Sequence, residues 1–391
     1  MKYNFDEIID RSNNYSSKWD NLELMFGRDD LLSMWVADMD FLCANPVTDA
    51  VVERAKQGIY GYTSRPSSYF ESVVQWMKKR HNWDVKTEWM LFSPGVVPAL
   101  SFMVNTFTHP GDKVIVQPPV YYPFFSVIKD NGRQIVNNPL IYKDGRYYMD
   151  FDDLESKAQD PQVKLLILCS PHNPVGRVWT KKELIRLGEI CIKNNILVIS
   201  DEIHCDILYP GITHTPFASV SEEFALSSLT CTAPSKTFNL AGLQTSTIII
   251  PNKIYYNEYK NFLERVHLTQ NNAFGLVALQ AAYRHGEEWL DQLLAYLDEN
   301  LRTLIESIDR EIPQIKVVRP EGTYLVWLDC RGLGLDTEQL NDLMINKARV
   351  AFDDGIWFGI GGEGFQRINI ACPRAYIHEA VKRIKKAVSD I

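Results

Sequence analysis

Hydrophobic residues in the middle of this chain gather into short unbroken runs instead of alternating with polar ones. Val114-Ile115-Val116, Leu165-Leu166-Ile167-Leu168, Ile196-Leu197-Val198-Ile199 and Thr247-Ile248-Ile249-Ile250 have the length and branching of strands buried on both faces. Between the second and third runs, Thr180 and Glu183 are spaced as a capping box, and Leu184, Leu187, Ile190 and Cys191 mark one helical face. Strand, helix, strand in that order predicts a right-handed crossover and a mainly parallel sheet. Beyond about Gly286 the pattern changes. A helical stretch from Trp289 to Ile308 leads to a strand-like Tyr324-Leu325-Val326-Trp327-Leu328, and a last helix carries Ile377, Val381, Ile384 and Val388 on its apolar face. The expected organisation is therefore a large α/β domain over 46–285 and a smaller α+β domain over 286–391. The weakly periodic segment 1–45 is expected to pack against the smaller domain.

Ligands of parallel sheets sit beyond the carboxyl ends of the strands, and that is where the chemistry-bearing residues fall. Ser170-Pro171-His172-Asn173-Pro174-Val175-Gly176 follows one apolar run and Ser200-Asp201-Glu202-Ile203-His204 another. Ser235-Lys236-Thr237-Phe238-Asn239 follows a third strand-like run, Leu229 to Thr232. An amine, a carboxylate and a side-chain amide so placed are what a pyridoxal phosphate enzyme needs. The amine bonds the cofactor, the acid meets the ring nitrogen, and the amide donates to the ring hydroxyl. Lys236 is the candidate amine, its pKa lowered by burial and a cationic ring so that it can act as a base. Asp201 is the candidate acid, though a residue there also reads as a helix N-cap, and Glu202 reads as structural. Asn173 stands in a turn fixed by Pro171, Pro174 and Gly176.

Weaker signals surround these three. Tyr121, in Pro118-Pro119-Val120-Tyr121-Tyr122-Pro123, offers a ring for the cofactor face or for core packing. Gly95-Val96-Val97 opens a helix-like stretch whose backbone N–H groups suit a phosphate. Arg367 would clamp an amino acid carboxylate bidentately, and Arg374 is too near in sequence for the pattern to separate the two.

Composition narrows the class. With 391 residues, 46% hydrophobic and 23% charged, the chain can bury a large core and falls among ordinary globular proteins. A net charge of −8 argues against nucleic acid as the main partner, and no apolar stretch is long enough to span a membrane. Seven cysteines without a Cys-x-x-Cys pair read as reduced thiols, and no metal site is expected. The polar start, Met1-Lys2-Tyr3-Asn4-Phe5-Asp6-Glu7, lacks a signal region, so a cytoplasmic protein is expected.

Nearly end to end, the chain resembles the fold type I pyridoxal phosphate enzymes of the aspartate aminotransferase superfamily. Within them it is most similar to the cystathionine β-lyase and C–S lyase subgroup of MalY/PatB type. The marks are Met34-Trp35-Val36-Ala37-Asp38-Met39-Asp40-Phe41, Gly61-Tyr62-Thr63, Ser200-Asp201-Glu202-Ile203-His204 and Ala371-Cys372-Pro373-Arg374. The resemblance implies a mainly parallel seven-stranded sheet flanked by helices, and a homodimer with shared active sites. It makes Lys236 the Schiff-base lysine, Asp201 the ring-nitrogen partner, Asn173 the donor to the ring oxygen, Tyr121 the stacking ring and Arg367 the α-carboxylate clamp. Tyr62 would reach the phosphate of the neighbouring subunit, while Ser235 and the backbone of Val96 and Val97 would hold it on their own. His204 replaces a common tyrosine beside the ring hydroxyl, Ala233 a common phosphate-binding serine, and Gln244 a common cation. These departures favour α,β-elimination of a thioether amino acid over transamination. An aminotransferase, or a cofactor-binding regulatory protein with little turnover, is the alternative.

Overall fold

The computed structural model describes residues 2–390. Its largest element is a seven-stranded sheet built from β1 (Met90–Ser93), β2 (Lys113–Val116), β3 (Gln134–Asn137), β4 (Val163–Cys169), β5 (Leu197–Asp201), β6 (Ser228–Thr232) and β7 (Ser246–Ile249), in the order β1-β7-β6-β5-β4-β2-β3. Only β7 runs against its neighbours, so the sheet is mainly parallel. The apolar runs are explained by the two-residue period of a strand. Val114, Val116, Leu165 and Ile167 face one core, whereas Ile115, Leu166 and Leu168 face another. The first core is closed by Ala99, Leu100 and Met103 of α1 (Val96–Phe107), the second by Leu184, Leu187 and Cys191 of α2 (Lys181–Lys193). The capping box of α2 is present, with Thr180 and Glu183 satisfying each other's backbone.

A second sheet has the antiparallel order β8-β9-β11-β10, from β8 (Lys316–Val318), β9 (Leu325–Asp329), β10 (Asp353–Asp354) and β11 (Phe365–Asn369). Two helices cover it: Glu287–Glu311 through Leu293, Leu297 and Leu301, and Arg374–Ser389 through Ile377, Val381 and Ile384. Near the N-terminus, Leu32–Ser33 pairs in parallel with Val350–Ala351. No helix among the described residues is long and apolar enough to cross a membrane.

Strand direction decides where chemistry can gather. β1 and β6 both run antiparallel to β7, so six strands share one direction and deliver their carboxyl ends to one edge. The segments that follow β1, β4, β5 and β6 there carry Gly95, Asn173, His204 and Lys236.

Candidate active site

A cavity of about 200 Å³ opens at that edge, and Val96, Val97, Tyr121, Asn173, Asp201, His204, Ser235 and Lys236 all line it, with Gln244. Lys236 sits in a single helical turn, Pro234–Thr237, and its Nζ donates to the carbonyl of Ala37 at 2.7 Å. Burial lowers its pKa to about 8; Arg367 pushes the same way, while Asp38 and Asp201 oppose it. Asp201 closes β5. Its Oδ1 accepts from the Ile203 amide at 3.2 Å, and burial pushes its pKa up to about 7 against the pull of Lys236. His204 is buried, its Nδ1 has no partner among the described residues, and burial, Lys236 and Arg367 all hold it neutral. Burial likewise raises the Tyr121 hydroxyl well above its usual range.

Arg367 stands behind Asn173. It lies on β11 directly opposite Asp353 of β10, and that register puts Nε and Nη2 at 2.9 and 2.5 Å from Asp353 Oδ2. Nη1 donates to Asn173 Oδ1 at 2.9 Å and Nη2 to the Trp35 carbonyl at 3.3 Å. One Nη1 hydrogen is left without an acceptor among the described residues. Because Asn173 Oδ1 accepts from Arg367, its amide nitrogen is free to donate. Arg374 is separated from this arrangement: it begins the last helix and bonds Asn300 and Glu299. Tyr62 is 97% exposed and outside the cavity wall.

Other residues of the site left no readable signal. Asp353 is brought in by sheet register, Tyr324 by its hydroxyl bond to Ala37 just ahead of β9, and Ala37 by a backbone carbonyl, which has no residue signature. Asp206 could have been noticed, since it lies two residues past His204. It is buried and accepts from Trp76 Nε1 at 3.1 and 3.2 Å, His81 Nε2 at 2.8 Å and Thr237 Oγ1 at 2.8 Å. A four-residue helix has little stability alone, so this tether from the residue after Lys236 helps to hold the lysine in place. Glu202 is a buried scaffold residue, accepting from Ser200, His214 and the Phe217 amide.

These groups fit a phosphorylated pyridine aldehyde. The first turn of α1 has no side-chain cap and no acidic residue, so its N–H groups are open to an anion. A partnerless imidazole nitrogen, a carboxylate with one accepted bond and an amine of lowered pKa supply the remaining contacts. Fold and site together define a pyridoxal phosphate-dependent enzyme with the aspartate aminotransferase architecture. The chain belongs to the aminotransferase class I and II family, whose model matches residues 30–384.

Among its relatives, cystathionine beta-lyase PatB of Bacillus subtilis (strain 168) is 47% identical over 99% of this chain and 100% of its own. A pyridoxal phosphate-bound crystal structure from Clostridium difficile 630, provisionally named an aminotransferase, superposes with a TM-score of 0.97 at 51% identity, over 99% of this chain and 100% of that one. The pyridoxal phosphate-bound C-S lyase of Staphylococcus hominis superposes with a TM-score of 0.94 at 38% identity, covering 99% and 98%.

Proposed function

We propose that this chain is a pyridoxal phosphate-dependent C–S β-lyase, cleaving L-cystathionine, L-cysteine or related thioether amino acids to thiol, pyruvate and ammonia. The observation that carries this reading is a half-buried amine of lowered pKa facing a buried carboxylate in one cavity, in a chain 47% identical to a cystathionine β-lyase. The bound cofactor supplies a carbonyl that condenses with amines and a ring that accepts electrons.

The remaining work falls to the chain. Arg367, braced by Asp353, and Asn173 hold the substrate α-carboxylate through their uncommitted N–H groups. Lys236 Nζ, available as a neutral amine near pH 8, takes the proton from Cα. The electrons left at Cα form the Cα–Cβ double bond, and those of the Cβ–S bond leave with sulfur as thiolate. Water converts the released aminoacrylate to pyruvate and ammonia. Asp201 would pair with the ring nitrogen, whose positive charge would offset the burial that otherwise protonates this carboxyl. Tyr121 would stack on the ring, and His204, as a neutral imidazole, would serve the ring oxygen. Ser235 and the amides of Val96 and Val97 would hold the phosphate.

Tyr62, exposed on its own chain, reaches the phosphate of a second subunit in a cytoplasmic homodimer with shared sites. The chain divides into segments 1–45, 46–285 and 286–391, the first joined to the last through Leu32–Val350 pairing. Incubation with L-cystathionine tests the reaction. Pyruvate and free thiol are expected without any keto acid. Turnover that depends on a keto acid would mean an aminotransferase, and no turnover a regulatory protein.

A further inference from the structure

The segment Met34–Phe41 marks the lyase resemblance, yet none of its side chains lines the cavity except Ala37. Its backbone is used instead. The Trp35 carbonyl accepts from Arg367, that of Val36 from Asn369 Nδ2 at 2.7 Å, and that of Asp38 from the same nitrogen at 2.6 Å. Between them the Ala37 carbonyl accepts from Lys236 Nζ at 2.7 Å and from the Tyr324 hydroxyl at 3.0 Å. The acidic side chains are held from the N-terminal side. Arg11 forks onto Asp38 at 3.0 and 2.8 Å and reaches Asp40 at 2.7 Å. Lys18, fully buried, bonds Asp40 at 2.6 Å, and Trp19 Nε1 adds a third donor at 3.0 Å. From the lysine's own loop, Asn239 bonds Met39 through both its amide groups and Phe41 through its nitrogen.

We propose that this segment is a carbonyl platform in which Ala37 O receives the free Lys236 amine and positions it for proton transfer, with Asp38, Asp40 and Asn369 as positioning residues. The proposal rests on Lys236 being the cofactor lysine and base. The geometry gives it a reason beyond folding. Arg11 and Lys18 hold both aspartate side chains and also donate to the carbonyls of Met39 and Asp38, at 3.1 and 3.4 Å, so the segment is fixed from the N-terminal side while the Ala37 carbonyl is left to the amine and Tyr324. A backbone oxygen accepts a hydrogen bond without being able to take the proton, so it can orient the amine without competing for it. The charged and titratable groups around Lys236 are Asp38, Asp201, Arg367 and His204, the last held neutral partly by Lys236 itself, and Tyr324 shares its acceptor.

The test uses Asn369→Ala, which releases the carbonyls on either side of Ala37, and Arg11→Lys, which keeps the charge but loses the fork. Borohydride reduction and mass spectrometry first establish whether the cofactor is on Lys236; an adduct elsewhere overturns the functional reading and not the contact. In full-length protein stripped of cofactor, acetylation of Lys236 is then followed against pH. Wild type should show a midpoint near pH 8. An amine whose ammonium form loses an oriented acceptor should be harder to protonate, so Asn369→Ala should lower the midpoint by about half a unit or more. In holoenzyme, kcat should fall about tenfold or more with KM unchanged, as expected for a misplaced base. Arg11→Lys, on the half-exposed side of the cluster, should move both in the same direction by less. If Asn369→Ala cannot be purified folded, Arg11→Lys decides alone. A folded variant with wild-type midpoint and wild-type kcat overturns the proposal.

Discussion

Lys18 and Asp40 are both buried, and they touch: Nζ to Oδ2 measures 2.6 Å, with Arg11 and Trp19 completing the shell of the carboxylate. Lys236 and Asp201 have the same chemical types at the cavity wall but make no ion pair with each other among the described residues. Lys236 is left with a carbonyl and Asp201 with one backbone amide. Their pKa values are accordingly displaced toward neutrality, to about 8 and about 7. The physical difference is what compensates burial. A buried ion pair at hydrogen-bond distance is structural, since removing either partner strands the other in the interior. A buried charge that meets only dipoles is driven toward its neutral form, which is where a proton can be exchanged at physiological pH.

The largest test breaks the second pair. Lys236→Ala should abolish cofactor attachment and reduce pyruvate formation from L-cystathionine by several orders of magnitude, while far-UV circular dichroism stays native. A yellow, active Lys236→Ala protein would remove this residue from the comparison. Breaking the first pair should have the opposite character. Lys18→Met leaves Asp40 short of a partner in a buried site and should cost about 3–5 kcal/mol of stability in denaturant unfolding. Cofactor should still bind to whatever fraction is folded. Little change in the unfolding midpoint would mean that Arg11 and Trp19 already suffice for Asp40.

Asp201→Asn sharpens the contrast, because one substitution should harm activity and relieve the fold. Elimination should drop about 10²–10³-fold as the charge facing the ring nitrogen is lost. In the cofactor-free protein, burial puts the folded pKa of Asp201 at about 7, against 3.8 for an ordinary aspartate. The folded state therefore binds more protons than the unfolded state between those values. Stability from this group is fully present below about pH 4 and is lost as pH rises through about 7, by up to about 4 kcal/mol. Asp201→Asn should flatten that part of the pH–stability curve; an unchanged slope would place the displaced titration elsewhere.

Tyr62 is exposed and has no partner among the described residues, and its substitution should have the smallest effect. Tyr62→Phe should weaken cofactor retention by roughly 1.5–3 kcal/mol, the worth of a hydrogen bond to a charged group. Mixing Tyr62→Phe with Lys236→Ala chains should restore activity through a hybrid site free of both lesions. Full activity in a protein shown by sedimentation to be monomeric would defeat the shared site.

Much of this arrangement is local and could be read along the chain. Unbroken apolar runs mark strands buried on both sides, because such a strand has no solvent face to keep polar. Lys236, Asp201 and Asn173 follow such runs at once, and the strand direction that carries them to one edge comes from the helical crossovers between them. Boundaries moved only slightly, the strand expected over Tyr324 to Leu328 being Leu325–Asp329. What tertiary structure alone decided is everything that depends on register or on backbone. Asp353 braces Arg367 because β10 and β11 pair with those two residues opposite, and a one-residue slip would put the carboxylate on the other face. Asp206 reaches Thr237 across 31 residues. Ala37 approaches Lys236 across 199 residues through a carbonyl that every residue type possesses. A side chain announces its chemistry in sequence; a peptide oxygen acquires one only when the fold aims it.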